Sequence, residues 1–519
     1  MSQHAPLWPI LIPLATALLQ LTATLAWQRR LAAVATVLGL LSSIWLVHLS
    51  DTGPLLVYAL GNWAPPFGIV LVADRLAAGM VMITMLLGGI CLLYACQGWD
   101  AHGRHFHPIF QLQLVGLNGA FLTADLFNLF VFFEIMLLAS YLLLAQGGGQ
   151  LRTRAGLIYV VINLLGSSLF LIALGTLYGA LGTLNLADVA WRAAQANDNE
   201  ALIRVAVGLL VSVFVLKAAL LPLSFWLPQT YAVAPAPVAA LFSIMTKVGI
   251  VALLRVQVQI IEPNFSELTA LWLTPLALAT LVFGVVGVIA ASNLRSLSAW
   301  LVLVSAGTLQ CVPGIASPEG TSAGLFYLTH STFAGAGLFL LAEMVAEKRG
   351  VAQCCFDSLN STSPRPTYSL GLAYLLLAVA VSGLPPLSGF IGKVFLLRSS
   401  FETAWPAGTL IFFWTVLLLG SFAVAVTLGR AGSRLFWQGA KPDTDTPHRT
   451  PIRLLALYLL VIASPVLVVL AEPIHAYAGR AAMQLHDTKG YIQGVLGHHP
   501  ERIERTEHYP PGHRRKELP

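Results

Sequence analysis

The chain has 519 residues, 57% of them hydrophobic and only 10% charged, with a net charge of +6 and a mean hydropathy of +0.77. A soluble domain carries about 25% charged residues, so this composition excludes one and places nearly the whole chain in lipid. The basic residues lie in short loops and at the C-terminal end, not in a stripe with aromatics, which argues against a nucleic-acid partner.

A membrane-crossing helix needs about 20 apolar residues. The apolar runs fall at 7–26, 31–50, 70–97, 107–124, 126–147, 156–181, 203–227, 236–258, 268–292, 296–312, 321–346, 368–399, 407–429 and 452–471. The expected fold class is an all-α polytopic membrane protein of about 14 transmembrane helices. No Lys or Arg precedes Leu7, so Leu7–Ala26 reads as a retained span rather than a cleaved signal. Between spans, Asp51–Phe67 holds turn residues around Val57-Tyr-Ala-Leu60 and predicts a small hairpin. Asp74-Arg75, at a span entrance, reads as a local ion pair, and Asn185–Glu200 as an amphipathic surface helix.

Alternate loops carry Arg29-Arg30, Arg104, Arg152 with Arg154, Arg295, Lys348-Arg349 with Arg365, then Arg430, Arg434, Lys441 and Arg449. The intervening loops hold Asp198, Glu200, Glu262, Glu267 and Glu319, with Arg192 their main positive charge. The positive-inside rule puts the first set in the cytoplasm. An even span count then leaves both termini outside, which fits the basic C-terminal end poorly. Cys91, Cys96, Cys311, Cys354 and Cys355 show no metal-ligand spacing. Residues 472–519, with His475, His486, His498, His499, His508 and His513, read as a solvated polar tail in preference to a metal site.

Two of the apolar runs contain helix breaks. In Phe214-Val-Leu-Lys217-Ala-Ala-Leu-Leu-Pro222-Leu-Ser-Phe-Trp226, Pro222 lacks an N–H and its ring clashes with the carbonyl of Ala218. The expectation is a bare carbonyl beside an ammonium group. A related stretch follows at Gly383-Leu-Pro385-Pro386-Leu-Ser-Gly-Phe-Ile-Gly-Lys393. Both share Pro-Leu-Ser followed by an aromatic residue, and paired Pro-interrupted helices point to a transporter's site.

Five ionisable side chains lie inside apolar runs: Glu134, Lys217, Lys247, His330 and Lys393. Each charge costs about 2.5–3.5 kcal/mol at the bilayer centre even on the lenient scale. Glu134 has only Phe130, Val131, Leu137 and Leu138 at helical spacing, and Lys217 only Val213, Phe214, Leu220 and Leu221. Their partners must come from other helices. Lys393 also lacks an acid at that spacing. Lys247 has Ser243 and Thr246 nearby, and His330 has hydroxyls on either side in sequence. Three lysines facing one glutamate do not balance as fixed charges, so lysines that take up and release a proton are the inferred chemistry. Structural readings stand beside this one: a buried Glu134–Lys217 ion pair, a snorkelling Lys247, a packing His330, and a Lys393 that braces the second break.

Gly389-Phe-Ile-Gly392-Lys393-Val lacks the P-loop spacing and its Ser/Thr, and no CxxC or helical His pair occurs. No cofactor and no metal are therefore expected.

The segment Asn118–Glu134, Lys217 with Leu221-Pro222, Ala234-Pro-Ala-Pro-Val238, Lys247 and Gly389-Phe-Ile-Gly-Lys393 resemble the antiporter-like subunits of respiratory complex I and of Mrp/Pha cation–proton antiporters. The resemblance covers about residues 65–430, and Gly61–Arg75 with the Glu134 segment is most similar to the D-type branch of the Mrp/Pha proteins. It implies two inverted five-helix repeats, each with one Pro-broken helix. It also implies a modulating pair at Glu134 and Lys217, a polar axis through Lys247 and His330, and an outlet residue at Lys393. Some relatives carry glutamate at that last position. The long lateral helix of the largest complex I relative is not expected here. The resulting division is 1–106 for N-terminal helices, 107–258 and 259–430 for the repeats, 431–471 for the last span and 472–519 for the tail. The implied function is proton translocation within a hetero-oligomeric Na⁺(K⁺)/H⁺ antiporter of the bacterial inner membrane. The alternatives are a proton-pumping subunit of an NADH:quinone oxidoreductase or membrane hydrogenase, and a membrane scaffold.

Overall fold

The computed structural model describes residues 2–195, 200–267, 269–349, 356, 366–401, 403, 405–437 and 451–497. Asp198, Cys354, Cys355, Arg365, Lys441, Arg449, His498, His499, His508 and His513 lie outside the described residues.

Helices dominate. The first part of the chain forms α1 (Trp8–Gln20), α2 (Leu25–Thr52), α3 (Arg75–Ala95), α4 (Phe106–Leu122), α5 (Leu126–Ala145) and α6 (Gln150–Leu181). The short α7 (Leu186–Ala193) precedes α8 (Glu200–Lys217), α9 (Trp226–Val233) and α10 (Ala236–Val256). Beyond the single turn α11 (Glu262–Asn264) come α12 (Thr274–Ala290), α13 (Leu294–Gln310), the turn α14 (Val312–Ile315) and the long α15 (Pro318–Arg349). Then follow α16 (Tyr368–Ser382), α17 (Ser388–Ser400), α18 (Ala407–Gly432), α19 (Pro451–Val469), α20 (Ala471–His486) and α21 (Thr488–Leu496). Among the described residues, 10 helices are long and apolar enough to cross a membrane. The first apolar run is helical over a shorter stretch than expected, because the chain turns at Leu21–Thr24 before α2 begins.

Burial sorts these helices. All 21 residues of α10 are buried, as expected of a helix that is apolar all round. It packs against α3, α8, α13 and α15, and so forms the axis of the bundle. In contrast, α2, α6 and α18 expose Val37, Leu41, Val161, Leu164, Leu419 and Phe422. Such one-sided apolar faces suit lipid. The expected hairpin forms: β1 (Leu56–Ala59) pairs antiparallel with β2 (Val70–Ala73), Leu56 opposite Ala73. The amphipathic α7 is capped by Asn185 and buries Leu186, Val189 and Ala190.

Three ion-pair arrangements fix the ends of the bundle. Asp74 and Arg75 do not pair with each other, contrary to the sequence expectation. Asp74 caps α3 and takes both guanidinium nitrogens of Arg255, at 2.6 and 2.8 Å. Adjacent side chains at a helix start diverge, so Arg75 turns instead to Asp51, at 3.0 Å. Asp100, buried in the turn before α4, accepts from Arg29 at 2.6 and 2.8 Å and sits 3.0 Å from His107. Burial pushes the Asp100 carboxyl up, but the hydrogen bonds from His107 and Arg29 outweigh it and hold it at about 2. Cys96 lies close to Asp100 and His107. Arg29, however, already occupies both Asp100 oxygens, which makes the cluster an electrostatic clasp.

The expected solvated tail is helical over its described part. Arg480 on α20 holds Asp51 at 2.7 and 2.8 Å, and Tyr477 donates to the Arg75 carbonyl at 2.7 Å. His475 stacks on Phe395 with ring centroids 4.1 Å apart, and His486 lies 3.1 Å from Thr321. Ala478, Ala481, Ala482 and Leu485 form the buried stripe that sequence composition concealed.

Candidate functional site

The first break lies between α8 and α9. Helical bonding ends at Lys217, Ala219 takes a left-handed φ of 59°, and helix resumes at Trp226. The Ala218 carbonyl is not bare. Gln310 at the end of α13 donates its amide to it at 2.7 Å, and Thr280 of α12 accepts from the Leu221 N–H at 2.9 Å. Buried backbone groups freed by a break need such partners, and these come from helices far away in sequence. Gly249 on α10 lets the end of α8 approach: a Cβ there would lie 3.0 Å from the Phe214 carbonyl oxygen and 3.1 Å from the Lys217 Cβ.

Lys217 is 5% exposed, and its ammonium donates to Asn163 Oδ1 on α6 at 3.3 Å. Glu134, partly buried on α5, accepts from the hydroxyl of Ser167, also on α6. No direct ion pair joins Glu134 to Lys217 among the described residues. Asn163 and Ser167 are four residues apart and therefore share one face of α6. The expectation that both charges find partners on another helix holds, and it is the same helix.

Lys247, fully buried on α10, reaches Ser305 Oγ of α13 at 3.3 Å. Ser243 and Thr246, expected to assist it, leave their hydroxyls without a partner. His330 on α15 does not use its sequence neighbours either. The Ser331 and Thr332 hydroxyls donate to the Leu328 carbonyl of their own helix. Its Nδ1 instead lies 2.7 Å from Ser388 Oγ, which is 2.7 Å from Ser464 Oγ on α19.

The second break separates α16 from α17. Lys393 folds back across it and donates to the Ser382 carbonyl at 2.9 Å and to Ser421 Oγ of α18 at 2.7 Å. Two glycines make room. Gly383, at φ 74°, lies where a Cβ would come within 2.8 Å of the Lys393 ammonium. A Cβ at Gly389 would collide with the Ala380 carbonyl and approach His330 Nε2 to 2.8 Å. A cavity of about 30 Å³ is lined by Ser305, His330, Lys393 and Ser421. That volume accommodates a water molecule, and the lining is polar enough to hold one.

The structure thus places the five ionisable residues in two groups. Glu134 and Lys217 share α6; Lys247, through Ser305, shares the cavity with His330 and Lys393. Asn163, Ser167, Ser305, Gln310 and Ser421 were missed in the sequence, and Ser388 was seen only as part of the Pro-Leu-Ser stretch. The available signal was a set of polar residues inside apolar runs, too common in membrane helices to single these out.

A family model described as NADH:quinone oxidoreductase/Mrp antiporter, transmembrane, matches residues 123–418. The chain belongs to this family. Both breaks and all five ionisable residues fall inside the matched range. Among curated relatives, a protein from Rhizobium meliloti, named as the D-type component of a probable K⁺/H⁺ antiporter, is 38% identical, over 89% of this chain and 93% of the relative. The D-type component of the Na⁺/H⁺ antiporter of Bacillus subtilis is 34% identical, over 94% of this chain and 98% of the relative. A chain in the solved Mrp complex from Dietzia sp. superposes with a TM-score of 0.84 at 25% identity, covering 96% of this chain and 99% of that one. This Mrp antiporter-type fold therefore extends over nearly the whole length.

Proposed function

We propose that this chain is the proton-translocating subunit of a multisubunit monovalent cation/proton antiporter of the bacterial inner membrane. It is a transporter component and not an enzyme. In this reading the chain crosses the membrane fourteen times, with two inverted five-helix repeats, at about 107–258 and 259–430, that each contain one broken helix. Protons move through Glu134, Lys217, Lys247, His330 and Lys393, with Pro222, Pro385 and Pro386 opening the helices where the path needs free backbone and space.

The observation that carries the reading is the arrangement of lysines. Among the described residues, Lys217, Lys247 and Lys393 each meet neutral oxygen acceptors and hydrogen-bond no carboxylate. A purely structural buried cation calls for an anion, whereas a proton carrier must exist in both states. Protonated amines repel Na⁺ and K⁺, and an amine supplies no oxygen ligand, so the axis suits protons. The names of the relatives divide between potassium and sodium, and the exchanged cation is assigned here to the assembled complex.

The test is copurification of the tagged chain from its native membrane, followed by cation-induced proton flux in vesicles carrying the complex. Small membrane subunits and flux driven by Na⁺ or K⁺ are expected. Co-purifying iron–sulfur or flavin subunits would replace this reading with the redox-driven one.

A further inference from the structure

The Glu134–Lys217 pair is held apart rather than closed. Each member has its own neutral partner, and both partners stand on one face of α6, about 6 Å apart along the axis. The chemistry of the two is matched to the charges. Asn163 spends an amide hydrogen on the Tyr159 carbonyl of its own helix at 2.9 Å, which fixes the amide with Oδ1 toward the Lys217 ammonium at 3.3 Å. Ser167 supplies a hydroxyl donor to the Glu134 carboxylate. An acceptor thus meets the cation and a donor meets the anion, with no net charge added.

Among the described residues no other side chain hydrogen-bonds the Glu134 carboxylate or the Lys217 ammonium. On α5, Ser140 is engaged with Tyr159, their oxygens 2.9 Å apart. Among the described residues the other titratable groups of this region are Tyr141 on α5, close to Glu134 and Tyr159, Tyr159 on α6 and Tyr231 on α9, with Lys247 on α10, the helix packed against α8. Rings of Tyr141, Tyr159, Trp226 and Tyr231 pack on one another in succession. Asn163 is 1% exposed and Ser167 5%, so both partners are shielded on the α6 side, while Glu134 itself is only partly buried.

We infer that Asn163 and Ser167 are positioning residues that keep Glu134 and Lys217 charge-separated, so that the lysine proton is released without collapse into a salt bridge. This inference rests on the proton-route reading above. A carboxylate in place of Asn163 would trap the ammonium. Loss of the Ser167 hydroxyl would leave the Glu134 carboxylate without its donor.

The experiment measures the pH profile of cation-induced proton flux in vesicles carrying the whole complex, with assembly checked by copurification. Asn163→Asp is nearly isosteric. It is expected to move the profile toward alkaline pH by about one unit, because a tenfold tighter proton on Lys217 is released one unit higher. At pH 7 the flux then falls roughly tenfold. Ser167→Ala is expected to shift the profile in the same direction, since a Glu134 carboxylate freed of its donor closes onto the Lys217 ammonium and makes the lysine hold its proton more tightly, and Ser167→Thr to restore it. Should Asn163→Asp fail to assemble, the Ser167 variants carry the test alone. Parental profiles in assembled Asn163→Asp and Ser167→Ala, with flux abolished in Lys217→Ala, would overturn the inference and leave the proton route standing. Normal flux in Lys217→Ala would remove the route itself.

Discussion

The Lys393 ammonium donates to the Ser382 carbonyl at 2.9 Å, so the lysine that follows the second break is held by the last turn of the helix that precedes it. The C-terminal end of a helix presents unpaired carbonyls and partial negative charge. Placing a cation there stabilises it by roughly 0.3–1 kcal/mol at an exposed site, and more where water is scarce. The break therefore creates the acceptor that a continuous helix would have consumed. Lys393 faces this carbonyl on one side and the small polar cavity on the other.

Removing either member of the α6-bridged pair is expected to stop transport. Glu134→Ala and Lys217→Ala should each abolish cation-induced proton flux in vesicles while the complex still copurifies. A scaffold role predicts the reverse, with the complex lost. Native gels beside the flux assay separate the two outcomes.

The first break depends on Gln310. Gln310→Leu leaves the buried Ala218 carbonyl without its donor, a loss of about 1–3 kcal/mol. A lower thermal midpoint of the purified complex, together with reduced flux, is expected. An unchanged midpoint would mean that another group satisfies the carbonyl. Pro222→Ala acts in the opposite way: helical bonding to the Ala218 carbonyl is allowed again, and flux should fall more than stability.

Gly389 tests the second break by size alone. Gly389→Ala brings a methyl against the Ala380 carbonyl and the His330 ring. Flux should be lost or severely reduced, whereas Gly408→Ala, which meets open space, should behave as the parent. Equal flux in the two variants would show that this close approach has no role.

The sequence located both breaks and all five ionisable residues, because charge and proline are rare in apolar helices and stand out one at a time. It did not reveal who answers them. Asn163, Ser167, Ser305 and Gln310 are ordinary polar residues, and their roles follow from which helices lie side by side. The same limit explains the error at Asp74-Arg75: adjacency in sequence suggested a pair, while tertiary packing gave each a distant partner. At the C-terminal end, histidines and glycines masked an amphipathic stripe, so that α20 and α21 were read as a solvated segment.

The Arg29–Asp100–His107 clasp has a defined acid response. The Asp100 carboxyl sits at about 2, below its ordinary 3.8. A depressed acid contributes stability that is present above the ordinary value and lost as pH falls through the lowered one. The clasp should therefore hold at pH 5 and weaken between about pH 4 and 2. Asp100→Asn should remove that dependence and lower stability at neutral pH by about 1–3 kcal/mol, the loss for a buried hydrogen-bonded group. Acid unfolding curves of the two proteins compare directly. An unchanged dependence in the variant would assign the response elsewhere.

The central claim, that these lysines carry protons rather than fixed charge, is tested most directly by Lys393→Arg. Lys393 is partly exposed and opens on a cavity, so a guanidinium can be accommodated. Arginine keeps the positive charge and the donors to Ser382 and Ser421 but does not give up its proton in a protein. Cation-induced proton flux is measured in vesicles in which the variant complex is shown to be assembled. The account predicts that flux stops. Parental flux from an assembled Lys393→Arg complex would show that only a positive charge is needed at this position, and would contradict it.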